Sequence, residues 1–129
     1  MVWVVLVAVA ALLQFTVFGA LVGRARGRYG VQAPATTGHE MFERYYRVHY
    51  NTMEQLLLFL PGLFLSAGFG FGPDWLSAAV GAVYLIGRQL YLASYVREPK
   101  SREIGFALSI LPSALLLGNA GLGAAASLF

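Results

Sequence analysis

The chain contains no cysteine. That excludes a disulfide framework, thiolate metal sites and a protein thiol nucleophile. Its two histidines, His39 and His49, are too few for an ordinary zinc site, so no metal is expected. Charge is scarce: 12% of the 129 residues are Asp, Glu, Lys or Arg, about half the share of a soluble domain. The net charge of +3 comes from basic residues grouped beside apolar runs, a pattern that signals membrane topology rather than nucleic-acid binding. No internal repeat is present, and apart from the small-residue tail Gly118–Ser127 nothing is low in complexity, so residues 1–129 read as one domain.

What the chain has is hydrophobicity, 58% of residues with a mean hydropathy of +0.66. Four segments approach the roughly 20 residues that cross a hydrocarbon core: Val2–Val22, Tyr46–Phe69, Trp75–Val96 and Ile104–Leu128. The predicted fold is an all-α, integral membrane four-helix bundle. The first segment lacks a basic leader and is followed by its positive charge, so it is expected to be a retained helix rather than a signal peptide. Arg24, Arg26, Arg28, Arg44 and Arg47 lie in or beside the first connection, and Arg97, Lys100 and Arg102 in the third. The positive-inside rule puts both connections in the cytoplasm and both termini on the non-cytoplasmic side. Trp3 and Trp75 then mark the outer interface.

Local signals refine the boundaries. Connection one is expected over Gly23–Thr36. Thr37-Gly38-His39-Glu40 has the spacing of a capping box opening helix two. That helix would be about 45 Å long against a hydrocarbon core of about 30 Å, so its first turns project beyond the membrane. Pro61 and Pro112 are expected to bend helices two and four. Helix three begins near Pro73-Asp74 and ends before Pro99. Ser101 is the candidate N-cap of helix four. Gly81, Ala82, Gly87, Gly118, Gly121 and Ala125 would permit close helix contact in lipid.

The polar residues of the apolar runs carry the functional signal. Arg47, Asn51 and Glu54 recur at offsets of four and three, one face of helix two. Tyr84, Arg88, Tyr91 and Tyr95 repeat the pattern on helix three. Ionisable groups at membrane depth are expensive and mark functional sites by default. Counted from the outer turn, Glu54 is roughly 21–24 Å deep and Arg88 roughly 20 Å, which suggests an Arg88–Glu54 ion pair. Singly, these residues have plainer explanations. Tyr91 and Tyr95 could be an interfacial belt. Arg44 and Glu43 suit a solvated face, His49 a surface histidine, and Arg24, Arg97 and Lys100 topology alone. Together, arginines, an amide, a carboxylate and tyrosine hydroxyls suit a small zwitterionic ligand.

These residues resemble a known family signature. Phe42-Glu43-Arg44-x-x-Arg47-x-His49-x-Asn51-x-Met53-Glu54, and Val83-Tyr84-Leu85 with Gly87-Arg88, Tyr91, Tyr95 and Arg102, are similar to the MAPEG family, the membrane-associated proteins of eicosanoid and glutathione metabolism. That family includes microsomal glutathione transferases and prostaglandin E synthase. The resemblance implies a homotrimer that binds glutathione near the cytoplasmic face between subunits. It implies Arg47, His49, Asn51, Glu54, Arg88, Tyr91 and Tyr95 as glutathione-binding residues, with Arg26 reaching from the adjacent subunit. Arg102 would hold the glutathione thiol as thiolate, which attacks a lipophilic electrophile arriving from the bilayer. The implied setting is a bacterial inner membrane, site towards the cytoplasm, and the activity a transferase or peroxidase. Gly27 stands where leukotriene C synthase has a second arginine, and Gln55 where it has tyrosine. General transferase chemistry is therefore expected over leukotriene specificity. The alternative is a non-catalytic lipid-binding or scaffold protein of the same fold.

Overall fold

A computed structural model describes all residues 1–129 as four helices: α1 (Val2–Tyr29), α2 (Glu40–Phe69), α3 (Asp74–Arg97) and α4 (Glu103–Ala126), with a 3₁₀ turn at Pro99–Ser101 before α4. All four are long and apolar enough to cross a membrane. α2 and α3 each pack on the other and on both α1 and α4. The main core lies between them and is built from Val4, Ala8, Leu56, Phe59, Leu63, Tyr84 and Leu116 among others. Only 30 of 129 residues are buried, while side chains such as Leu57 (73% exposed) and Leu115 (64%) face outward. An apolar exterior on this scale belongs in lipid.

Several boundaries differ from those expected. α1 does not stop at Val22 but runs seven residues further, through Arg24, Arg26 and Arg28. Its end is set by Gly30, whose φ of 68° closes the helix with an N–H bond to the Arg26 carbonyl. The arginines of this last turn face the negative end of the helix dipole. Connection one is correspondingly shorter. The N-cap of α2 is His39, not Thr37: its Nδ1 accepts the Met41 N–H at 3.1 Å. Gly38, at φ 136°, breaks the path from Thr37 to the helix. Ser101 does not cap α4 either. Its hydroxyl donates to the carbonyls of Glu98 (2.7 Å) and Ser94 (3.1 Å), sealing the end of α3, and Arg102 becomes the N-cap. α2 and α4 continue through Pro61 and Pro112.

Two glycines set the spacing of α3 and α4. A Cβ on Gly105 would lie 2.5 Å from the Tyr91 backbone nitrogen, and one on Gly87 would lie 2.6 Å from the Leu108 carbonyl. The helices therefore touch backbone to backbone. Gly81 is close-packed too, against Val7 and Leu63, whereas Gly118 and Gly121 face open space and make no such contact.

Candidate functional site

At the end of the bundle that carries the basic residues, α2 and α3 present their polar stripes side by side. Arg47 (α2) and Tyr95 (α3) line one cleft of ≈ 440 Å³ with Glu40, Glu43, Arg44 and Tyr46. Arg47 is exposed. One turn deeper, buried Asn51 donates its amide to the exposed carboxylate of Glu54 at 3.3 Å. The Asn51 Oδ1 has no partner. Tyr91 is buried and stacks on Tyr95, centroids 5.4 Å apart.

Arg88 does not pair with Glu54. It is fully buried (0% exposed), and its two terminal nitrogens donate to Thr52 Oγ1 at 2.8 Å and Ser109 Oγ at 3.3 Å. Each hydroxyl spends its proton on the carbonyl four residues back, Val48 and Gly105 respectively, which leaves lone pairs turned to the guanidinium. Arg88 also sits 4.3 Å from the Tyr91 ring centroid, in cation–π geometry. The expected pair fails by direction, not depth. Glu54 lies two residues past Thr52, about 200° around the helix, so it faces away from α3.

The structure also separates other residues from this set. His49 stacks on Phe15 of α1 at 4.4 Å, on the far side of α2 from Arg47. Arg26 lies over the Phe42 ring (4.7 Å) and donates to the Ala35 carbonyl at 2.6 Å, outside the cleft. Arg102 is exposed at the start of α4. No side chain caps that helix, so its first backbone N–H groups stay open to an anion.

Three structural participants escaped sequence reasoning. Thr52 and Ser109 are the hydroxyls that hold Arg88; the available signal was their position in apolar runs at the depth of an arginine. Arg44 is not a solvated residue. It ion-pairs with Glu40 and donates to the carbonyls of Val96 (2.9 Å) and Arg97 (3.1 Å), clasping the end of α3.

Comparison with known proteins gives the family of the chain. The model of the MAPEG family matches residues 4–122. An uncharacterised protein of the cyanobacterium Synechocystis is 47% identical over 118 residues, 92% of this chain and 85% of that protein. Human microsomal glutathione S-transferase 2 is 37% identical over 118 residues, 90% of this chain and 79% of its own length. Guinea pig (Cavia porcellus) leukotriene C4 synthase is 39% identical over 106 residues, covering 82% of this chain and 69% of its own.

Proposed function

The chain belongs to the MAPEG family of multi-pass membrane proteins, which includes glutathione-using enzymes, and from that premise we propose that it is a glutathione-dependent transferase acting on lipophilic electrophiles. The observation that carries this is the convergence of Arg47 and Tyr95 on one cleft, with Tyr91 stacked on Tyr95 and Arg88 held against the Tyr91 ring.

Glutathione brings two carboxylates, an ammonium, two amides and a thiol, and the donor set suits each. Arg47 takes a carboxylate in charge-assisted bonds, and Glu54 takes the ammonium. The free Oδ1 of Asn51 accepts an amide N–H. Tyr95, and Tyr91 behind it, offer hydroxyls. Arg102 faces the sulfur. A cation beside an uncapped helix N-terminus lowers a thiol's pKa, so the thiol proton leaves to solvent and the thiolate stays. The sulfur then forms a bond to the electrophilic carbon as the leaving group departs with its electron pair. Arg88 holds Tyr91 rather than touching glutathione, and His49 has no part. Arg26, outside its own subunit's cleft, suits a role in the neighbouring cleft of a homotrimer. In this reading the site faces the cytoplasm from a bacterial inner membrane, with both termini outside, an orientation supported by the basic residues beside the first and third connections.

The test is purified protein mixed with glutathione and an aryl chloride. Conjugate should form with release of chloride, and thiolate absorbance should rise on glutathione binding. Arg102→Ala should abolish the thiolate signal while glutathione still binds. Absence of both conjugation and glutathione binding in the wild type would reject the proposal. Binding without thiolate would favour a non-catalytic lipid-binding protein, the reading for which Gly27 speaks.

A further inference from the structure

The inner end of α1 carries a second basic group, directed away from the cleft. Arg24 and Arg28 are four residues apart and share a face, while Arg26 between them points about 200° around the helix. Both are exposed. With Leu21, Tyr29 and Tyr45 they line a small cup of ≈ 90 Å³. Leu21 and Tyr45 also line a neighbouring groove of ≈ 390 Å³, which passes over Leu92, Ala93 and Val96 of α3 and ends at Arg97. Cup and groove therefore adjoin, with two side chains common to their walls.

Their chemistry is divided. The cup is cationic, and the groove is mostly apolar. The two ion pairs of the molecule are Met1–Asp74 and Glu40–Arg44, so Arg24, Arg28 and Arg97 have no carboxylate partner. Arg44, in the groove wall, is already engaged by Glu40 and the carbonyls of α3. Three uncompensated guanidiniums thus rim an apolar trough at the level where α1 and α3 leave the hydrocarbon.

We propose that cup and groove form one binding site for an anionic glycerophospholipid. Its phosphodiester would sit among Arg24, Arg28 and the tyrosine hydroxyls, and an acyl chain would lie along Leu92, Ala93 and Val96. A cationic cup alone would accept any anion, and an apolar groove alone any chain. Joined at Leu21 and Tyr45, they select a molecule that carries both. Basic pockets between helices on the cytoplasmic side are suited to anionic headgroups, and guanidinium pairs phosphate oxygens in bidentate fashion. The site does not rest on the glutathione reading, since Arg47, Tyr95 and Arg102 take no part in it.

Native mass spectrometry of the purified protein tests this, with dioleoylphosphatidylglycerol and dioleoylphosphatidylcholine offered at equal concentration. The phosphatidylglycerol should be retained preferentially. Each surface arginine contributes roughly fivefold, so the Arg24→Gln, Arg28→Gln, Arg97→Gln triple variant should lose on the order of a hundredfold in retention. Ala93→Trp keeps every charge, and hence the topology signals, but fills the groove; it should lose the lipid too. Lys100→Gln, exposed and outside the site, should not. Equal retention of the two lipids would overturn the proposal. So would an unaffected Ala93→Trp variant, displacement of the lipid by inorganic phosphate, or a loss of roughly fivefold or more in Lys100→Gln.

Discussion

The two ends of this bundle treat polar groups in opposite ways. At the end that holds the α2–α3 turn, the outer end under the proposed topology, Ser66 and Ser77 share a hydrogen bond of 2.8 Å, and Asn119 donates to Ser66 at 2.8 Å. The same Asn119 accepts the Phe71 N–H (3.0 Å) and donates to the Phe71 carbonyl (3.3 Å), so its amide is fully used. That network ties the α2–α3 turn to α4 and leaves nothing over. At the inner end the accounts stay open. Asn51 Oδ1 and Gln55 Oε1 have no partner, and Arg47 and Arg102 belong to neither ion pair. Buried polar groups are normally satisfied, so a closed network signals architecture and an open one signals a ligand. Polarity in a membrane helix is therefore not by itself a mark of function; unfilled bonding capacity is.

Substitutions can break this contrast. The largest effect is expected at Arg88, the inner group that is structural. Arg88→Ala empties a fully enclosed site and strips Tyr91 of its support, costing about 3 kcal/mol of stability in detergent unfolding, with weaker glutathione binding alongside. A variant as stable as wild type would remove Arg88 from the framework. Next comes the outer network. Asn119→Ala leaves Ser66 and the Phe71 backbone short of partners and should cost about 1–3 kcal/mol, while kcat/KM for conjugation stays unchanged. A fall in kcat/KM without loss of stability would erase the distinction between the ends. Asn51→Ala should do the reverse. The protein's stability should hold, while glutathione affinity, measured by calorimetry, weakens by about 1 kcal/mol, roughly fivefold. Smallest is Gly27→Arg. Nothing lies within 4 Å of a Cβ there, so thermal stability should move by no more than about 0.5 kcal/mol. A larger drop would show that the face is occupied.

The four helices were legible because apolar length and the breakers at Gly70, Pro73 and Pro99 are local properties. So were the two polar stripes, which need only a period of 3.6 residues. Direction between helices was not. Equal depth brought Arg88 and Glu54 together on paper, but two residues along α2 decide whether a side chain meets α3, and Thr52 rather than Glu54 holds that position. The family resemblance brings His49 to the site, whereas the turn of the helix carries it to Phe15. Capping failed for a related reason. Thr37 and Ser101 have suitable hydroxyls, but Gly38 redirects the backbone at one, and the carbonyls of α3 capture the other. Gly118 and Gly121 look like contact residues in sequence, yet contact depends on which neighbour stands opposite.

The backbone contact of α3 with α4 has a consequence for how such a site can vary. Because Gly105 rests on the Tyr91 backbone and Gly87 on that of Leu108, the two helices form one rigid piece that carries Tyr91, Arg88 and Ser109 together and runs up to Arg102. The turn from Glu98 to Ser101 joins elements whose separation is already fixed. Insertions or deletions in that turn should leave the geometry between Tyr91 and α4 intact, whereas one methyl group at position 105 would move it. Here the gauge of the site is set by a side chain that is not there.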